Sequence, residues 1–254
     1  MRHDAVEPST RFVFAHGFTQ TARSWAAFES VLRGRLHAAD AVAVDLPGHG
    51  DAPPPADLDL WASADRLVTL GGVGTYVGYS MGGRVALHAA LAHPESVRRL
   101  VLIGATAGID DDAERQERRA ADEQLAAHIE SVGVETFIDE WLAKPLFAGL
   151  THATALREDR LRNSASGLAD SLRSTGTGTQ RPLWGRLADI TCPVLILVGE
   201  RDDKFTALGH RMSDKLRDAT VVVVADAGHS VHLEQPDATA DAITAWLPSV
   251  TSGV

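Results

Sequence analysis

Three side chains that together can activate a hydroxyl group follow one another along the chain. Ser80 lies at the centre of Gly-Tyr-Ser-Met-Gly (residues 78–82), and Asp202 and His229 come later. A serine hydroxyl becomes a strong nucleophile or base when a histidine accepts its proton and a carboxylate orients that histidine. Glycines on both sides of the serine permit a sharp turn between a strand and a helix. We therefore predict that Ser80, Asp202 and His229 are catalytic.

Neighbouring residues compete for two of these roles. Asp202 lies in Gly-Glu-Arg-Asp-Asp after a predicted strand, so Glu200 and Asp203 are alternative acids. We favour Asp202 because a glycine three residues earlier is the usual loop spacing for this acid. His232 is an alternative base, but it lies beyond the turn that holds His229 and would enter the following segment.

A negative charge that develops beside Ser80 needs backbone N–H donors. Met81, which follows the serine, is one candidate, and Phe18, in the loop of residues 16–19, is the other; a plain turn is the alternative for that loop.

Arg84 lies one helical turn past Ser80. A cation near a helix N-terminus is mildly unfavourable unless an anion lies beside it, so Arg84 favours an anionic substrate.

The elements that must position these residues are short apolar strands alternating with helices. This alternation is typical of an α/β fold, a mostly parallel sheet with helices on both faces. Asp202 and His229 each follow a strand, so both are expected at the carboxyl edge of the sheet, where ligands bind in such folds. The predicted strands are 11–15, 41–46, 75–79, 100–103, 194–198 and 221–224, and the predicted helices between and after them include 60–70, 81–93 and 238–247.

The alternation stops between residues 106 and 187, where only helical periodicity occurs. We predict helices at 112–130, 134–143, 153–162 and 167–174. A helical block inserted between two strands is expected to cover the carboxyl edge of the sheet. We therefore predict a core formed by residues 1–105 and 188–254, and a helical cap formed by 106–187.

Composition restricts the possible partners. The chain has 254 residues, 44% of them apolar, and a formal charge of −10, which argues against nucleic acid and anionic membranes as partners. An anionic substrate would need a local basic pocket. The single cysteine, Cys192, cannot form an internal disulfide or a thiolate metal cluster. No apolar run resembles a signal peptide or a membrane span, so we expect a cytoplasmic protein.

The motifs HGF, DLPGHG, GYSMGG, GERD and AGHS occur in the order of the α/β-hydrolase superfamily, which the chain resembles over nearly its whole length. Within that superfamily the chain is similar to the 2-succinyl-6-hydroxy-2,4-cyclohexadiene-1-carboxylate (SHCHC) synthases of menaquinone biosynthesis. The resemblance is carried by GYSMGGR, ERQERRAADEQLA, FIDEWLAKPLF, RLRNSASGLADSLRSTGTGTQRPLW and GERDDKF.

This resemblance implies a lyase that eliminates pyruvate from an enolpyruvyl cyclohexene with several carboxylates, and that uses no metal and no organic cofactor. It implies that Ser80, Asp202 and His229 form the triad, which would act in proton abstraction. The residues that it implies for substrate binding are Arg84, Arg118, Arg162, Tyr79 and Trp141.

The chain differs from the family pattern at two places. Only about ten residues precede the first strand, so the opening hairpin of the family is expected to be shortened, and Gln20 stands where the family often has glycine. Pattern alone also allows Arg118 to be a surface residue paired with Glu114 four positions earlier, with Arg119 as the alternative pocket residue.

Arg162 could pair in the same way with Glu158, and Trp141 could simply pack the cap on the sheet.

Three other functions remain as alternatives. They are a carboxylesterase or C–C hydrolase with an acyl-enzyme, a cofactor-free perhydrolase or haloperoxidase, and a binding protein without activity. The fold alone does not decide among them.

Overall fold

A computed structural model describes residues 11–36, 39–54 and 57–247 and contains one six-stranded sheet. The strand order is β2-β1-β3-β4-β5-β6, and every neighbouring pair is parallel, as predicted for the α/β class. The strands are β1 (Arg11–Ala15), β2 (Asp40–Val44), β3 (Gly74–Tyr79), β4 (Val97–Ile103), β5 (Val194–Gly199) and β6 (Ala219–Val224).

Nine α-helices occur in the described residues, and some of them cover the two faces of the sheet. They are α1 (Ala26–Arg35), α2 (Leu60–Gly71), α3 (Met81–Ala92), α4 (Asp112–Leu142), α5 (Arg157–Arg160), α6 (Ala165–Thr175), α7 (Asp203–Ser213), α8 (Val231–Glu234) and α9 (Pro236–Trp246). The apolar sides of α2, α3 and α7 pack on one face, and those of α1 and α9 pack on the other. Because both faces are covered, the central strands β3 and β5 are buried along their whole length. β6 is an edge strand, so Val223 stays 45% exposed.

Three helices between β4 and β5 form the expected helical block, with an apolar cluster of its own between α4 and α6. The break predicted near residue 132 is confirmed, because Gly133 has φ 80° and ψ 168° inside α4. The prediction of a helix over 153–162 is wrong: only the single turn α5 forms, since Leu156 is left-handed with φ 54°. The boundaries of the core and the cap stay predictions.

The expected shortened hairpin would lie in residues 1–10, outside the described residues. In the part of the chain that is described, no helix combines the length and the apolar character needed to cross a membrane.

Glycines allow the start of α3 to approach the ends of β1 and β3. A Cβ atom on Gly82 would lie 2.1 Å from the carbonyl oxygen of Ala15, and one on Gly78 would lie 2.5 Å from that of Gly82. Both obstacles are backbone atoms, which cannot rotate away as a flexible side chain could. This junction therefore tolerates no side chain at either position.

We predict that Gly82→Ala lowers the free energy of unfolding by at least about 2 kcal/mol, because the backbones of α3 and β1 must separate. Gly34→Ala is the matched control: Gly34 lies in α1 with open space around it, so alanine should stabilise by up to about 1 kcal/mol. Urea unfolding of both variants measures this difference. Equal stability of the two would contradict the packing described.

Candidate active site

Ser80 lies at the turn between β3 and α3 in a backbone conformation that residues with a side chain rarely adopt. Its φ is 51° and its ψ is −107°. Such conformations cost on the order of 1–3 kcal/mol and persist where the surroundings enforce them. Here the Ser80 N–H donates to the carbonyl of Ile103 at 2.8 Å. The turn therefore presents the Ser80 hydroxyl at the carboxyl edge of the sheet.

His229 and Asp202 reach Ser80 from the loops after β6 and β5. Nε2 of His229 lies 3.3 Å from Oγ of Ser80, and Nδ1 lies 2.8 Å from Oδ2 of Asp202. Since an ionised carboxylate can only accept, Nδ1 donates to Asp202, and Nε2 is left to accept the serine proton. The backbone N–H of Phe205 donates to the other oxygen of Asp202 at 3.2 Å and fixes the carboxylate. This arrangement can make Ser80 basic.

The alternative acid and base residues lie elsewhere. Glu200 and Asp203 are exposed, and Glu200 accepts from the backbone N–H of Asp226. His232 stacks on Trp25 with ring centroids 4.4 Å apart, and burial lowers its pKa to about 3, with further lowering by nearby cations. Among the candidates weighed, Asp202 and His229 are the two that the structure brings to Ser80; their catalytic roles stay predictions.

One carboxylate holds the loop that carries His229. Glu234 accepts from the backbone N–H groups of Gly228, at 2.7 Å, and Ser230, at 2.9 Å, on either side of the histidine. The Tyr79 hydroxyl lies 2.7 Å from Oγ of Ser230, and burial raises the pKa of Tyr79 to about 12. The position of His229 is thus set by its backbone as well as by Asp202.

Tyr79 therefore differs from its expected place. Its side chain lies beneath the loop of residues 16–19, where a Cβ on Gly17 would be 2.6 Å from the Tyr79 ring, and it does not line the cavity beside Ser80. The reason is strand geometry: successive side chains point to opposite faces, so Tyr79 at the end of β3 turns into the sheet packing. The expected substrate contact of Tyr79 stays a prediction.

The two expected backbone donors are near the serine. Phe18 and Met81 line the same cavity as Ser80, and Met81 N–H is at the first turn of α3, where no intrahelical acceptor exists. Among the described residues, none accepts from the Phe18 N–H. Gln20 closes the loop, because its Oε1 accepts from the Gly17 N–H at 3.0 Å. The unusual Gln20 thus stabilises this loop.

The cap also holds the loop that carries Phe18. Arg160 donates to Oγ1 of Thr19, and Nδ2 of Asn163 donates to the Thr19 carbonyl at 2.6 Å. Thr19 needs this support, since its φ is 70°. Arg160 is only 1% exposed, and burial lowers its pKa to about 10. Sequence patterns missed Arg160, because the charged run of residues 157–162 does not indicate which arginine turns inward.

A cavity of about 240 Å³ lies between the sheet edge and the cap, beside Ser80 and His229. Its walls are mostly apolar, with polar atoms from the end of α6 and the turn after it. The large apolar side chains lining it are Phe18, Leu125, Trp141, Leu146, Leu172 and Phe205. Within the described ranges, no group of three or more His, Cys, Asp or Glu residues is placed to hold a metal ion.

Arg84 faces this cavity with part of its guanidinium free. Nη1 donates to the carbonyl of Thr175 at 2.6 Å, at the end of α6, and to Oε1 of Gln180 at 3.4 Å. No acceptor in the described part of the chain faces Nε or Nη2. Burial, and then the charge of Arg118, lower the pKa of Arg84 to about 10, so it remains a cation at neutral pH. Arg84 can therefore bind a carboxylate.

Arg118 reaches the cavity, and Arg119 does not. Arg118 is not paired with Glu114; its Nε donates to Oδ1 of Asp122 at 2.8 Å. The other oxygen of this buried carboxylate accepts from the Gly178 N–H at 3.2 Å. Asp122 thus fixes the stem of Arg118 and leaves the two terminal nitrogens for a ligand.

Of the other two expected substrate contacts, one lines the cavity and one does not. Trp141 lines the cavity, and its indole nitrogen is buried without a partner in the described chain. Arg162 does not line the cavity: its side chain is 34% exposed and lies 3.7 Å from Asp51. The one-turn helix α5 directs Arg160 inward, so Arg162, half a turn away, faces outward. The structure therefore does not place Arg162 in this cavity, and its expected substrate contact stays a prediction.

We predict that Glu234→Gln slows the reaction of Ser80 with a fluorophosphonate by about tenfold or more, because a neutral amide cannot accept both flanking N–H bonds as strongly. Glu200→Gln is the matched control, since it removes the same charge from a residue that accepts one N–H outside the histidine turn. Mass spectrometry follows the labelling rate. Unchanged labelling of Glu234→Gln would contradict a positioning role for this carboxylate.

Comparisons with known proteins identify the family of this chain. Residues 12–242 match the Alpha/beta hydrolase family. A Bacillus subtilis relative is 34% identical, covering 95% of this chain and 92% of its own length. A Serratia proteamaculans protein named 2-succinyl-6-hydroxy-2,4-cyclohexadiene-1-carboxylate synthase is 31% identical, with 92% of each chain covered.

Solved structures show the same relationship. A structure of MenH from S. aureus superposes with a TM-score of 0.87 at 31% identity, covering 95% of this chain and 94% of that one. An esterase from Thermogutta terrifontis, at 24% identity and a TM-score of 0.75, shares the fold. This chain belongs to the α/β-hydrolase family and, within it, to the family of the 2-succinyl-6-hydroxy-2,4-cyclohexadiene-1-carboxylate synthases.

Proposed function

We propose that this protein eliminates pyruvate from 2-succinyl-5-enolpyruvyl-6-hydroxy-3-cyclohexene-1-carboxylate to form SHCHC in menaquinone biosynthesis. The observation that carries the proposal is the pair of cations beside the triad. Arg84 and Arg118 both present guanidinium nitrogens to the cavity that Ser80 and His229 line. A neutral ester has no negative charge for these two arginines to bind, whereas each carboxylate of a polycarboxylate can accept two hydrogen bonds from a guanidinium.

The first step is removal of the acidic ring proton next to the succinyl ketone. His229 accepts the hydroxyl proton of Ser80, and the serine oxygen takes the ring proton. Asp202 stabilises the imidazolium that forms. The electron pair of the broken C–H bond moves onto the ketone oxygen, and the N–H groups of Phe18 and Met81 stabilise that enolate.

The second step expels the leaving group. The enolate re-forms the ketone, the ring double bond shifts, and the C–O bond to the enolpyruvyl group breaks with its electron pair on oxygen. The released enolate of pyruvate takes up a proton, for which the His229 imidazolium is the available donor. The ring keeps a conjugated diene, and Ser80 is never acylated.

Carboxylate binding orients the ring for this proton transfer. The free nitrogens of Arg84 lie one helical turn from Ser80, and those of Arg118 approach from the cap. A guanidinium donates two parallel hydrogen bonds to one carboxylate, which fixes direction as well as position. The Trp141 ring adds apolar surface to the mostly apolar wall.

The expectations about partners and location rest on the sequence. A small polycarboxylate, and not nucleic acid, suits a chain of formal charge −10 that places Arg84 and Arg118 beside the cavity at Ser80. The single cysteine is consistent with the expected cytoplasmic location.

We predict that the wild-type protein releases pyruvate from the enolpyruvyl substrate and forms a diene absorbance at the same rate, and that Ser80→Ala lowers kcat by at least about a hundredfold. Coupled lactate dehydrogenase and ultraviolet assays follow the two products. Fast hydrolysis of neutral aryl esters without pyruvate release would instead favour the carboxylesterase reading. Near-full activity of Ser80→Ala would refute the role given to the serine.

We predict that Arg84→Gln reduces kcat/KM for the polycarboxylate substrate by about 10- to 100-fold, because hydrogen bonds to a charged group contribute about 1.5–3 kcal/mol. The glutamine amide ends two bonds short of the Nη1 that donates to the Thr175 carbonyl, so a control reaction must report any loss from that packing contact. Hydrolysis of p-nitrophenyl acetate is the control reaction and should change less than threefold. Equal losses on both substrates would mean that Arg84 has only a structural role.

A further inference from the structure

The cavity beside Ser80 contains a third cation that the mechanism above does not use. Lys204 lines it together with Arg84 and Arg118. No aspartate or glutamate is among the described residues that line it, although the chain carries 34 acidic residues. Asp122 pairs with Arg118 from behind the wall, so the three cations still outnumber the carboxylates near the cavity, against a net charge of −10 for the chain.

The fold gives Lys204 no partner of its own. It forms no ion pair with any described carboxylate, and its nearest aromatic contact places Nζ 6.0 Å from the Phe205 ring. It is also in the first turn of α7, where the helix dipole disfavours a cation. Both arginines, in contrast, are each tied to the protein by one side of the guanidinium.

Lys204 lies on the triad side of the cavity. It follows Asp202 by two residues, and the adjacent Phe205 ring lies 4.4 Å from the ring of His229. Arg84 and Arg118 are near each other, on the side formed by α3, α4 and the end of α6. Ser80 and His229 line the same cavity as the three cations, so a ligand bound there would lie beside the Ser80 hydroxyl.

We infer that Lys204 binds one carboxylate of the substrate and, with Arg84 and Arg118, completes a three-cation site for a tricarboxylate. The inference rests on the proposed function, since that substrate carries three carboxylates: on the succinyl arm, on the ring and on the enolpyruvyl group. Lys204 takes the place that sequence resemblance gave to Arg162, which lies outside the cavity. A lysine without an ion pair can move to meet the ligand, whereas the tethered arginines set its orientation.

Lys204→Met tests this assignment, because methionine keeps the apolar stem and removes the charge. We expect KM for pyruvate release to rise about tenfold with kcat changed less than threefold, and Lys204→Arg to restore most of the affinity. Lys215→Met, at an exposed position away from the cavity, makes the same change in net charge and should leave KM unchanged. A KM of Lys204→Met within twofold of wild type, or an equal loss in Lys215→Met, overturns the assignment.

A second measurement separates this inference from the proposed reaction. Calorimetry with propane-1,2,3-tricarboxylate, an unreactive probe, should show weaker binding to Lys204→Met than to the wild type and to Lys215→Met. Weakened binding of this probe in a protein that releases no pyruvate would support Lys204 and refute the proposed function. If the protein releases pyruvate, and Lys204→Met changes neither KM nor probe binding, the proposed function is supported and the role of Lys204 is refuted.

Discussion

The contact between the start of α3 and the ends of β1 and β3 is the constraint on which the site depends. Without side chains at Gly78 and Gly82, the helix begins so near the sheet that Ser80 must adopt a positive φ. That conformation raises the hydroxyl above the sheet edge, where the loops after β5 and β6 bring Asp202 and His229. The strain at Ser80 is therefore balanced by the packing of three strands and a helix.

Core and cap divide the chemistry between them. The sheet edge carries the groups that are proposed to move protons, and the cap carries Arg118 and Trp141 and holds the Phe18 loop through Arg160 and Asn163. Since the end of α6 also accepts from Arg84, the cap contacts both α3, which follows Ser80, and the loop of the expected oxyanion donor. A chain of strongly negative charge thus concentrates positive charge where an anionic substrate would enter.

Sequence patterns predicted the strands, and the meeting of Ser80, Asp202 and His229, because those features are local: apolar runs, a glycine-flanked serine, and loops after strands. They failed where several nearby residues of the same type could fill one role and only tertiary contacts determine which of them does. Arg118 has acidic residues four positions away on both sides, and Asp122 is selected because Gly178 also donates to it. Likewise, the left-handed Leu156 shortens α5, and this decides that Arg160, and not Arg162, turns inward.

The central claim is that this triad removes a carbon-bound proton and forms no acyl-enzyme. The most direct measurement uses substrate deuterated at the ring carbon next to the succinyl ketone, with single-turnover kinetics and intact-protein mass spectrometry on the same samples. We expect a primary isotope effect on diene formation and an unmodified protein mass throughout turnover. A covalent adduct on Ser80 that forms and decays at the rate of turnover, without an isotope effect, would contradict the claim.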